Sequence, residues 1–145
     1  MIKKVPIAVL IMGGLINLAI AQTPITWIQL SQISFGMNQT EDGQFSYPIP
    51  SFPEDIKALN EKEVIIKGYM IPLNIEGTEY AISAFPNAAC FFCGAAGQES
   101  VMRIEIKNSR RKYAVDSFKT FKGTLHLNYL PDDLLYILKE AEEVK

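Results

Sequence analysis

The sequence predicts a mainly β fold: a small five-stranded, partly open barrel of the OB (oligonucleotide/oligosaccharide-binding) type, preceded by an irregular lead-in and one short helix. Three observations predict it. After residue 62 the chain carries five runs rich in branched and aromatic residues, separated by turn chemistry. The first run, 63–73, is long and holds Gly68 in its middle, the mark of a bulge or a sharp coil in a strand. The chain beyond a predicted export signal is also too short for two ordinary domains, and closing a sheet hides edges that an open sheet would expose.

The lead-in spans 22–62. Trp27 and Leu30 are apolar enough to dock on a core, whereas 38–44 is polar and reads as a loop. Asn38-Gln39-Thr40 matches a glycosylation acceptor, a pattern common by chance, and is read here as plain loop. Pro48, Pro50 and Pro53 stand too close together for a helix or a central strand, so 47–53 must run extended over the surface. A short helix starts at Ser51 or Pro53 and runs through Leu59.

The barrel domain is assigned to 63–145. Its first strand, Glu63 to Leu73, leads through a turn at 74–77 to a partner strand at 78–85, with Tyr80 and Ile82 on one face. Val101, Arg103 and Glu105 alternate with Met102, Ile104 and Ile106, which is strand periodicity. In 121–128, Leu125 and Leu127 share one face and His126 takes the other. Leu134, Leu135, Leu138 and Ala141 also fit helical spacing, but Pro131-Asp132-Asp133 is good hairpin chemistry and 134–138 is a short apolar run. The reading adopted is a strand to about Lys139 with a frayed tail.

Residues 1–21 read as a secretory signal. Lys3 and Lys4 precede an apolar run from Val5 to Ala21, which closes on the small-x-small pattern Ala19-Ile20-Ala21 before the polar Gln22-Thr23-Pro24. Cleavage is expected after Ala21, because the apolar run falls short of the roughly 20 clean residues a spanning helix needs. No cysteine follows the site, so a lipid-attached form is not expected. The mature chain is expected to be periplasmic or secreted, with no membrane span. Its formal charge falls from −2 to −4 once Lys3 and Lys4 are removed. A weakly acidic exported domain suits neither DNA nor RNA, whose binding depends on clustered cations. The one basic cluster, Lys107 with Arg110, Arg111 and Lys112, reads as an exposed turn.

The segment that carries chemistry is Cys90-Phe91-Phe92-Cys93-Gly94. The sequence contains two cysteines, and both are in it. Three readings compete. In an oxidising compartment the default is a Cys90–Cys93 disulfide, which over so short a loop fixes the shape of a turn more than it adds global stability. Alternatively, two thiolates at this spacing supply half of a tetrahedral zinc site, or a copper(I) site. Completing zinc would take His126, the only histidine, and a carboxylate such as Glu99, or a second molecule. The third reading is thiol–disulfide exchange, although the βαβ context and the helix N-terminus that lower a thioredoxin-type thiol pKa are not apparent. Hydrolytic catalysis gains no support, since no nucleophile elbow or Ser-His-Asp order is present. Phe91 and Phe92, in a loop with Gly94 and Gly97, divide between plugging the core and standing exposed. If one stands beside Tyr69 or Tyr80, it forms an aromatic platform for a periplasmic protein or small ligand.

The blocks 64–73, 90–102 and 121–128, with Tyr136-Ile137-Leu138, resemble the bacterial family of exported proteins known as domain of unknown function 3299, in its Bacteroidetes branch. The central block, with its Cys-Phe-Phe-Cys-Gly, is the specific one; the chain departs from the family pattern at Gln98, where proline is usual. The resemblance implies a periplasmic OB-like barrel associated with metal handling near export or transport systems, and no particular activity. Together these features point to a non-enzymatic binding or accessory module using the Cys90–Cys93 loop.

Overall fold

The structure is a computed structural model that describes residues 22–108 and 110–145. The predicted signal peptide, 1–21, lies outside the described residues. No described helix is long and apolar enough to cross a membrane.

The lead-in holds β1 (Thr23–Pro24), α1 (Trp27–Leu30), β2 (Ser34–Gln39), β3 (Ser46–Ser51) and α2 (Glu54–Lys57). The five long runs after it form β4 (Glu63–Pro72), β5 (Tyr80–Ser83), β6 (Val101–Ile106), β7 (Phe118–Leu127) and β8 (Tyr136–Glu143). Neighbouring strands run β4-β5-β6-β8-β7, and β7 returns to β4. That last pairing, from Glu63↔Thr124 to Tyr69↔Phe118, closes a five-stranded mixed barrel where the sequence suggested a partly open one. Closure follows from the length of β4, which pairs with β7 from Glu63 to Tyr69 and with β5 from Tyr69 to Pro72. Within the barrel the parallel pair is β6 with β8, and β1 adds a short extra strand, also parallel, beside Val64 and Ile65.

Alternation explains the interior. Val64, Ile66 and Met70 of β4 point inward with Tyr80 and Ile82, Met102 and Ile104, Phe121, Leu125 and Leu127, and Tyr136 and Leu138. At 134–144 the strand reading holds over the helical one. β8 starts later than expected and continues past Lys139, because Ala141 pairs with Ile106, and Glu143 pairs with Phe121. Glu143 is further held by Arg111 at 2.6 Å and Lys119 at 3.2 Å. Within the basic turn, Lys107 pairs with Glu142 at 2.9 Å.

The lead-in is more ordered than its composition suggested. A capping box between Thr26 and Gln29 starts α1. Leu30 and Ile56 are fully buried, the Trp27 indole N–H donates to Lys67 O at 2.9 Å, and the Tyr136 hydroxyl donates to Leu30 O at 2.7 Å. Phe52 closes the barrel end against Tyr136, with ring centroids 5.7 Å apart. The proline-rich stretch does run extended, but as one side of a hairpin: Met37 opposes Pro48 and Phe35 opposes Pro50. A two-stranded ribbon consists only of edges, so prolines that cannot donate to a ladder are tolerated there. Asn38 lies in β2 and not in a loop, with its amide donating to the Tyr47 hydroxyl at 3.2 Å.

Candidate functional site

The Cys-containing segment is the connection from β5 to β6, residues 84–100. Its two ends are tied together by Ala84 N–H donating to Ser100 O at 2.9 Å. Between them the chain makes three 3-10 turns, Asn87–Ala89, Phe91–Cys93 and Gln98–Ser100. Pro86 precedes the first turn with φ −57, a value its ring imposes, and Gly94 ends the second at φ 73, in the left-handed region where glycine carries no Cβ penalty.

One backbone group organises the sulfurs. Asn87 O accepts from the Cys90 thiol at 3.1 Å and from the Cys93 thiol at 3.0 Å. Cys90 is fully buried and Cys93 is exposed, and both are free thiols. Desolvation first, then the neighbouring Cys90 thiol, pushes the Cys93 thiol above its ordinary range. Two thiols donating to one carbonyl form a neutral arrangement, since a thiolate there would face the oxygen's negative end.

Asn87 is itself anchored by the connection from β6 to β7. Its N–H donates to Asp116 Oδ1 at 2.6 Å, and Asp116 N–H donates to Met70 O of β4 at 3.0 Å. Asp116 stands at φ 61, a left-handed conformation that Asp and Asn tolerate better than most residues. Replacing Asp116 by Ala should therefore cost about 1 kcal/mol in chemical denaturation, and Asp116→Asn should recover most of it. An Ala variant as stable as the parent would refute this anchoring. Sequence reasoning missed Asp116, because an Asp-Ser pair before a strand is ordinary turn chemistry and 29 residues separate it from Asn87.

Phe91 is half-buried and Phe92 exposed, and neither plugs the main core as one of them was expected to. Phe91 packs on a small cluster of Ile71, Ala81 and Val101, with Leu73 and Leu134, outside the main core. Phe92 is 48% exposed and meets the edge of Phe91 at 5.4 Å. The structure does not build the aromatic platform imagined with Tyr69 or Tyr80. Tyr69 packs on Phe118 at 4.9 Å, and Tyr80 is buried against Tyr113. Phe91 and Gln98 instead border a shallow groove of about 350 Å³ against the turn Pro131–Leu134.

The four-ligand set Cys90, Cys93, His126 and Glu99 does not assemble. Among the described residues no three His, Cys, Asp or Glu side chains are grouped as metal ligands. His126 projects from the outside of β7 and meets Glu61 at 2.6 Å, because the end of the lead-in lies along that strand. Glu99 sits in a separate groove beside Trp27, with its carboxylate folded over Gly97. Of the residues predicted for the loop, Cys90, Phe91, Phe92, Cys93, Gly94 and Gly97 share one connection, while His126 belongs elsewhere.

The hydrogen bond from His126 holds the Glu61 carboxyl below its ordinary value of 4.5. A carboxyl whose folded pKa is lowered stabilises the fold above its unfolded pKa. That contribution disappears as pH falls through the folded value. Stability measured by denaturant titration should therefore decline on acidification below about pH 4.5, and Glu61→Gln should flatten part of that decline. An unchanged slope in the variant would show that the contact is energetically silent.

No protein-family model matches the chain, and no curated protein matches it. In overall structure the chain is similar to the crystal structure of a DUF3299 family protein from Pseudomonas aeruginosa, at 17% identity, covering 86% of this chain and 97% of that one with a TM-score of 0.49.

Proposed function

We propose that the chain is exported, cleaved after Ala21, and acts in the periplasm or outside the cell as a non-catalytic binding or accessory module whose working surface is the Cys90–Cys93 loop. One observation carries this reading: both thiols converge on a single carbonyl in an anchored connection, with Cys93 outermost and Phe92 exposed near it. Such a loop presents one sulfur, with a second buried directly beneath it, and an aromatic edge on the barrel surface. The raised Cys93 pKa weighs against a catalytic nucleophile, which needs thiolate at working pH.

If the bound species is a metal, the donor set suits a soft ion held by two sulfurs, copper(I) before zinc. Closed zinc sites take four ligands, and this chain brings two together, so zinc would need a partner's side chains. Mass spectrometry of the mature protein after thiol labelling, with and without reductant and added copper(I) or zinc, tests the reading. Metal retained through gel filtration at one ion per chain, and lost in Cys90→Ser, is the result expected of a metal site. A permanent, unreactive bridge that excludes metal would leave the loop purely structural. Finding residues 1–21 still attached in the exported fraction would overturn the cleavage assignment.

A second reading, thiol–disulfide exchange, is favoured by the pairing of one exposed with one buried cysteine at this spacing. A reversible two-electron potential between about −270 and −120 mV would support it over the binding reading.

A further inference from the structure

The two ends of the Cys loop frame a groove that the sulfur chemistry does not use. Ala84 and Phe85 enter the loop on one side of it, Glu99 and Ser100 leave on the other, and α1 supplies Trp27 and Ile28. Its volume is about 220 Å³, below the roughly 300–1,000 Å³ of sites that enclose whole small molecules. A groove of this size takes one long side chain.

Its chemistry narrows which one. Phe85 is 46% exposed and Ile28 76% exposed, so the walls are apolar and open to solvent. The charged group on the lining is Glu99, half-buried on the 3-10 turn Gln98–Ser100. Its carboxylate pairs with none of the described cations; the acidic partners of the lysines and arginines are Glu54, Glu105, Asp133, Glu142 and Glu143. Burial first, and then the negative charge of nearby Glu99, raises the pKa of the Tyr136 hydroxyl. A residue with an unpaired carboxylate, on the lining of a groove that an indole and a phenyl ring also line, complements a cation carried on an apolar stem. The mature domain's charge of −4 acts in the same direction.

We propose that this groove receives a lysine or arginine side chain from an exposed segment of a partner protein, the stem lying on Trp27 and Phe85 and the cationic head paired with Glu99. The inference extends the binding reading to the base of the loop and is independent of its thiols.

The chain's single tryptophan is Trp27, which lines this groove, so its emission responds to binding there. The probe is a blocked pentapeptide, Gly-Ser-Arg-Ser-Gly, titrated into the mature protein at low salt, with norleucine replacing arginine as the control. The expected result is a saturable Trp27 response with a Kd on the order of 1 mM, as befits one anchored side chain. Glu99→Gln should weaken it at least about tenfold. Phe85→Ser, a second variant at an exposed position, should weaken it too. Cys93→Ser should leave it unchanged, which separates failure here from failure of the sulfur reading. No saturable response, an equal response to the norleucine peptide, or full binding by Glu99→Gln would each overturn the proposal.

Discussion

Alkylation of the reduced, folded protein is expected to modify Cys93 about 100-fold or more faster than Cys90, a ratio that corresponds to a local opening of about 3 kcal/mol. The two thiols are equivalent in sequence and opposite in exposure, since Cys90 is fully buried and Cys93 is exposed. Cys90 reacts only when the connection between β5 and β6 opens, and that connection is tied at Asn87 to Asp116 and at Ala84 to Ser100. Cys93 should itself react more slowly than an unstructured thiol at neutral pH. Its raised pKa leaves less thiolate, so its rate should keep climbing above the pH at which a free cysteine levels off. In denaturant the two sites should become equal. Matched rates in the folded state would mean that the loop is open on the labelling timescale, and the anchored sulfur pair would no longer support a binding surface. Asp116→Ala should narrow the ratio by about fivefold, the equivalent of the roughly 1 kcal/mol assigned to the Asn87 contact.

The barrel was legible because its strands are written in local pattern. Val64 and Ile66 alternate with half-exposed or exposed neighbours, and Leu125 and Leu127 bracket His126, so the inward face can be read without knowing the partners. Turn chemistry at 131–133 then decided strand over helix for β8. What could not be read was set by partners distant in sequence. β2 has no alternation of burial, since every one of its residues is exposed, and prolines mask the strand character of β3. Closure of the barrel depends on how far β4 and β7 pair, and the end of β8 on contacts with Arg111 and Lys119. For the candidate site, the spacing of Cys90 and Cys93 announced a sulfur pair, but which of them faces solvent is fixed by Asn87 and Asp116. His126 and Glu99 looked available as ligands because sequence carries no distances. Folding gives the first to Glu61 and the second to the Trp27 groove.

Gly68→Ala should destabilise the protein by about 3 kcal/mol, lowering Tm by about 10 °C or more, although it adds one methyl group. Gly68 lies in β4 near Tyr69, the residue that faces both Phe118 of β7 and Ser83 of β5. A Cβ there would meet Ile82 Cγ1 at 2.9 Å and come closer still to the carbonyl oxygen of Ser83. The side-chain atom can yield, but the carbonyl belongs to a four-residue strand whose residues are all buried, so β5 must shift bodily. Gly36 provides the contrast within the same protein, as an added Cβ there meets nothing within 4 Å. Gly36→Ala should be neutral or stabilise by up to about 1 kcal/mol, because alanine loses less conformational freedom than glycine on entering a strand. Equal melting temperatures for the two variants would refute the close approach of β4 and β5. The effect also reaches the loop, because Ser83 is the last residue of β5 and its Oγ accepts the Phe85 N–H at 3.1 Å. Displacing β5 moves the start of the Cys-containing connection, so Gly68→Ala should also speed alkylation of Cys90 while leaving Cys93 nearly unchanged. That pairing of a stability loss with one-sided thiol exposure distinguishes a strand pushed against the loop from general loosening of the barrel, in which the carboxy-terminal strand would exchange its amide hydrogens equally fast.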